Sequence, residues 1–276
     1  MSVKEPAARH IHHYHRHVSY SYPAKSWLRI YALFLAPLLI VLVSYWLVRL
    51  FGIHQSLGPI SWLTLFTDVG HTLLRLLVAY VLALLLSVPL ALLIDKNQLT
   101  ERILLPVFDV IQSIPVLAFF PVVIIYFVHF NALDSAAIFI IFLSMLWNIV
   151  FSLVGGIRLI PTDIKSAAKI FKIKDLFYLR KVLIPAIFPY ITTGSLLAWA
   201  QGWNIIIVAE VLHTYVPGGG SNLDLPGIGS TLVHASALGD SNLFIAAILV
   251  MVAVIAVMNF LLWQKLLQYA ERFRFE

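Results

Sequence analysis

The feature that most constrains this chain is a succession of apolar stretches, each long enough to cross a bilayer. Six occur, at residues 27–49, 71–94, 103–128, 136–157, 190–212 and 243–263. About 20 apolar residues make one spanning helix, because in hydrocarbon the backbone must satisfy its own hydrogen bonds. The expected fold is therefore an all-α membrane protein of about six transmembrane helices. Composition agrees: 61% of residues are hydrophobic, 12% are charged and the mean hydropathy is +0.93, outside the range of ordinary soluble domains. Cysteine is absent, which excludes a disulfide scaffold, a thiolate nucleophile and any cysteine-held metal.

The net charge of +6 does not point to nucleic acid, because the basic residues sit in short segments beside the apolar runs. Lys4, Arg9, Arg16 and Lys25 precede the first run, Lys96 and Arg102 lie between the second and third, and Lys265, Arg272 and Arg274 follow the last. The largest group, Arg158, Lys165, Lys169, Lys172, Lys174, Arg180 and Lys181, separates the fourth from the fifth. The alternate connections, 52–69, 129–135 and 213–242, contain no Lys or Arg. By the positive-inside rule both termini are cytoplasmic in a multi-pass protein of the cell (inner) membrane. Residues 1–25 read as a polar cytoplasmic tail and 26–276 as the transmembrane domain. The tail lacks the apolar core and small-residue cleavage site of a secretory signal, so the first span is expected to act as an uncleaved insertion signal. Its histidines, His10, His12, His13, His15 and His17, lack metal-ligand spacing and read as a solvated tail.

The segment 161–189 interrupts the spans. Pro161, Thr162 and Asp163 are favourable at a helix start. Ile164, Ala167, Ala168 and Phe171 then recur at i, i+3, i+4 and i+7, giving one apolar face flanked by Lys165, Lys169 and Lys172. Two adjacent alanines permit close approach and Phe171 supplies a bulky anchor, a combination suited to a groove on another protein. Packing of the same helix on anionic lipid is the alternative.

Ser166-Ala167-Ala168, followed at the matching distances by Val182, Ile184 and Pro185, resembles the signature loop of ABC importer permeases, E-A-A-x3-G-x9-I-x-L-P. Pro189 and Gly194 continue the likeness, and Gly202-Trp203-Asn204 with Val208-Ala209-Glu210 resembles the nitrate, sulfonate and taurine branch. More loosely it covers the second span to the end, including 102–121 and 262–272. The resemblance implies a coupling helix, seated in a groove of a cytoplasmic ATPase subunit, formed by Ile164, Ser166, Ala167, Ala168, Phe171 and Lys172 with Pro185 downstream. It also implies that ATP and Mg bind the ATPase and not this chain, and that an extracytoplasmic substrate-binding protein faces the segment 217–229. Because six helices make a small bundle to enclose a polar pathway alone, a second permease copy or a relative is expected to complete it. Two positions depart from the family: its Glu is Ser166 and its Gly is Lys172. A lysine at a left-handed position costs about 1 kcal/mol.

Polar residues within the spans are candidates for a pathway for a small anion: Asp109, Gln112, Asn148, Gln201, Asn204 and Glu210. Interhelical hydrogen bonding is the plainer role for each Ser or Asn, including Ser144 and Ser152, which share a face with Asn148. Arg75 and Glu210 lie at a similar depth and are expected to pair or to form an outer gate. Gly194, Ala198 and Gly202 make a close-packing stripe, while Pro115 and Pro121 are expected to kink the third span. Two rival classes remain at this stage. A proton-coupled carrier or channel would use Asp109 and Glu210. An intramembrane enzyme is disfavoured, since there is no H-E-x-x-H and Ser195 has no histidine at its depth; nor does the chain contain a Walker-type phosphate loop.

Overall fold

The computed structural model describes residues 61–273, except 96, 174, 217–219, 221 and 222, together with Leu42 and Trp46. The predicted first span and the His-rich tail therefore lie outside the described residues, apart from Leu42 and Trp46, which are helical and exposed. Ten α-helices are named here: α1 Trp62–Asp95, α2 Gln98–Ser113, α3 Val116–His129, α4 Leu133–Arg158, α5 Thr162–Ile170, α6 Asp175–Tyr178, α7 Ile184–Glu210, α8 Ile228–Leu238, α9 Ser241–Met258 and α10 Gln264–Ala270. A π-helical turn, Leu179–Leu183, runs α6 into α7, and another, Asn259–Trp263, runs α9 into α10. No strand occurs among the described residues.

Four helical stretches are long and apolar enough to cross a membrane: Trp62–Ile94, Leu133–Arg158, Leu179–Glu210 and Ser241–Phe273. The first starts well before the predicted residue 71. The predicted single span 103–128 is instead a bent pair, α2 and α3, meeting at 80°. The break has a local cause. Pro115 pushes the residue before it out of helical space, and Ile114 is extended, with φ −74° and ψ 122°. Pro121, expected to act in the same way, stays inside α3.

α4 is the centre of the bundle, packed on α1, α7 and α3. Ile140, Ile141, Met145, Ile149, Leu153 and Ile157 along it are fully or almost fully buried. The small residues of α7 make the seam the sequence suggested. Gly194, Ala198 and Gly202 are all buried, and a Cβ on Gly194 would stand 2.7 Å from Cβ of Ser152. A smaller core, built from Leu65, Val69, Ile228, Leu232, Ala246 and Ala247, joins α1, α8 and α9. Leu74, Leu77, Val81 and Leu85 on α1 face outward, as a surface solvated by lipid requires.

Candidate functional site

Conspicuous chemistry lies at both ends of the bundle. At one end α5 follows α4 directly. The Pro161 carbonyl accepts from the Ile164 and Lys165 amides at 3.2 and 3.4 Å, which starts the helix. Its apolar face is divided between two surroundings. Ile164 packs against the main core and Ala168 is buried, whereas Ser166 and Ala167 are exposed and Phe171 is 76% exposed. Ile170, which the periodicity did not single out, is 77% exposed beside Phe171. The free patch is thus Ala167, Ile170 and Phe171. Pro185 is half-buried at the start of α7, directly after the π-helical turn Leu179–Leu183.

The end of α5 answers the question raised by Lys172. The Ile173 amide donates to the Ala168 carbonyl at 2.9 Å and the Phe171 amide to Ala167 at 2.9 Å. Lys172 has φ 53°, so the left-handed turn that closes a helix in a Schellman motif forms here without a glycine. Replacing Lys172 with Gly is expected to stabilise this turn by about 1 kcal/mol. Hydrogen exchange checks it: the Ile173 amide should exchange several-fold more slowly in the variant. Close by, the Arg158 guanidinium pairs with the Glu101 carboxylate and so ties α4 to α2.

At the opposite end a polar network holds four segments together. Glu210, the last residue of α7, has no exposed surface. Its Oε1 accepts from Thr72 Oγ1 at 2.7 Å and from an Arg75 guanidinium N–H at 2.9 Å, and its Oε2 accepts from the Gly229 amide at 2.8 Å. Arg75, only 4% exposed, also donates to Asp134 Oδ1 at 2.7 Å and to the Pro226 carbonyl at 2.8 Å. Thr72 Oγ1 accepts from the Ile228 amide at 3.0 Å. Gly227, at the N-cap of α8, has no side chain to cap the helix. Thr72 and Glu210 take that role from two other helices, satisfying the first amides of α8 and placing a carboxylate at its positive end.

The sequence placed Arg75 and Glu210 at one depth, and they pair. Thr72, Asp134 and the α8 amides escaped notice, because only the packing of α1, α4 and α8 brings them in. Arg75 is held by two carboxylates and is not a free anion attractor. Asp224, whose side chain is 3% exposed, lies between His213 Nδ1 at 2.8 Å and His234 Nε2 at 3.0 Å.

The other pathway candidates are spread over the bundle. Asp109 and Gln112 are exposed on α2, where the Gln112 amide donates to Asp109 Oδ1 at 2.8 Å. Asn148 is half-buried on α4 and donates to the Ser144 carbonyl at 3.3 Å. Gln201 and Asn204 are both exposed on α7. Exposed amides on a helix of this apolarity need water or a protein partner, since lipid offers them no hydrogen bonds. Glu210 stands apart from these five, buried in its network.

Residues 83–264 match the family described as "binding-protein-dependent transport system inner membrane component". The chain is 35% identical over 148 residues to the nitrate import permease protein NrtB of Leptolyngbya laminosa, covering 54% of this chain and 52% of that one. It is 31% identical over 154 residues to the bicarbonate transport system permease protein CmpB of Synechococcus elongatus, covering 56% and 54%. It is 29% identical over 145 residues to the nitrate import permease protein NrtB of Synechocystis, covering 52% of each. The matches thus span about half the length of these relatives.

Proposed function

The chain belongs to the binding-protein-dependent transport system inner membrane component family, and from that premise we propose that it is the permease subunit of an ATP-driven ABC importer for a small anion. It forms half of a translocation pathway, with a second permease copy opposite. Gln201 and Asn204 on the exposed side of α7, and Asp109 and Gln112 on that of α2, supply polar surface for the join or for the pathway it encloses. The anion class, nitrate or bicarbonate with sulfonate and taurine beside them, rests on the relatives named above and on the branch resemblance. Counting the segment 27–49 and the bent pair α2–α3 as one crossing each gives six spans with both termini in the cytoplasm, the short tail 1–25 preceding the transmembrane domain 26–276. ATP, with Mg, is bound and hydrolysed on a separate cytoplasmic subunit.

One observation carries this reading. Between two spanning helices, and next to the basic cluster, α5 presents Ala167, Ile170 and Phe171 to the outside while Ile164 and Ala168 anchor it to its own bundle. A rigidly held helix with an unpartnered apolar patch is suited to dock in a groove and to carry motion across it. The ATPase drives closure, α5 moves with it, and the bundle exchanges inward- and outward-open forms.

Ala167→Asp and Phe171→Asp test this directly, because both positions are exposed and the changes leave the core intact. Co-purification of the ATPase subunit from membranes is expected to fall at least tenfold, with ATP-driven nitrate or bicarbonate uptake falling alongside. Wild-type assembly and uptake in both variants would refute docking through α5. Ala168→Asp is less informative, since Ala168 is buried against its own bundle.

A further inference from the structure

Next to the Glu210 network a cavity of about 350 Å³ opens between α1, α8 and the α8–α9 turn, lined in part by Thr64, Asp68, Thr231, His234 and Asp240. Asp68 is 9% exposed. Its Oδ2 accepts from Thr231 Oγ1 at 2.7 Å, and among the described residues no cation reaches it. Asp240, half-buried, caps α9 through the Leu243 amide at 3.0 Å, and among the described residues no cationic side chain pairs with it. A carboxylate so nearly buried with one neutral donor is a costly arrangement that a cation relieves.

The surroundings strengthen the sign. Asp68, Asp134, Glu210, Asp224 and Asp240 gather at this end, and Arg75, the guanidinium among them, is held by two of these carboxylates. The connections 52–69, 129–135 and 213–242 contain no Lys or Arg. Such a field repels a free anion and attracts basic protein surface.

We propose that this cavity seats a lysine or arginine of the soluble protein that delivers the anion. Building on the importer reading, this assigns the delivering partner a basic contact at an acidic landing site. The anion therefore reaches the pathway by hand-over and not by electrostatic attraction to this chain.

The natural chain has no cysteine, so Thr64→Cys places a single thiol in the cavity of the complex with its ATPase, reconstituted in nanodiscs. The preference of this thiol for a cationic over an anionic methanethiosulfonate reagent is expected to exceed that of a free thiol in solution at least tenfold, and Asp68→Asn with Asp240→Asn should return it to the solution value. Both replacements keep an acceptor for Thr231 and a cap for α9, so they remove charge with little change of shape. The same pair is expected to weaken binding of the soluble receptor that supports uptake by the reconstituted wild type at least tenfold, and to flatten its salt dependence. A labelling ratio no greater than that of a free thiol in solution, or receptor affinity within twofold of wild type, overturns the proposal. Protection of the thiol by Mg²⁺ or Ca²⁺ but not by the receptor makes the cavity a cation site and likewise overturns it. If no ATPase subunit co-purifies with the wild type, the importer reading fails instead, and that result is separate from the labelling ratio.

Discussion

Glu210→Ala is expected to cost about 3 kcal/mol of stability, the low end of the loss when one partner of a buried ion pair is removed. Two effects add. Arg75, 4% exposed, loses one of its two carboxylates, and the Gly229 amide at the start of α8 loses its acceptor. The loss stays at the low end because Asp134 still holds Arg75, although its own side chain is 65% exposed. Glu210→Gln should lose less, since an amide oxygen still serves Thr72 or Gly229. Joint replacement of Arg75 and Glu210 by Met should recover much of the loss, as removing both charges relieves their desolvation. Thermal unfolding of the detergent-solubilised protein followed by tryptophan fluorescence provides the measurement. A Glu210→Ala midpoint equal to wild type would show that the network contributes no net stability.

Gly227→Ala is expected to cost about 2–3 kcal/mol, in the range of overpacked sites. Its φ of 173° is extended backbone open to any residue, so conformational strain plays no part. The obstacle is contact: a Cβ there would lie on the Glu210 carboxylate. The end of a side chain ordinarily swings aside, but this one is fixed by Thr72, Arg75 and Gly229, and moving it breaks those bonds. Gly70→Ala is the control. No atom lies within 4 Å of the added carbon, and the site is inside α1, so a gain of about 0.5–1 kcal/mol is expected. If Gly227→Ala matches the control, the side-chain capping of α8 is not what holds this end.

These sites also mark where the sequence was readable. The spanning stretches stand out because a run of apolar residues long enough for hydrocarbon has few other uses. Arg75 and Glu210 were legible as a pair because two charges at one depth in such a sequence need each other. Asp134 was not, because its role depends on how α4 lies against α1. The helix α8 went unread for a related reason. Local rules seek a capping side chain just before a helix, and here Gly227 stands at that place while the caps come from residues 72 and 210. Along α5 the repeat revealed an apolar face but not its division, since covering Ile164 and Ala168 is the work of the protein's own bundle. Pro115 and Pro121 look alike in sequence; the one at the helix boundary breaks the chain direction, and the one already inside α3 is absorbed.

The two ion pairs on α4 have a mechanical consequence. Asp134 in its first turn is bound to α1 and Arg158 in its last turn to α2, so the helix is pinned at both extremities. Its 26 residues form a strut about 39 Å long, with side chains packed along most of that length. Close packing makes such a strut stiff. Gly156, just inside the Arg158 clasp, extends that packing to the end of the helix, since a Cβ there would lie on the Tyr190 ring of α7. A helix packed and clasped in this way resists bending, so a displacement imposed at its Arg158 end would be passed along the beam to the Arg75 end.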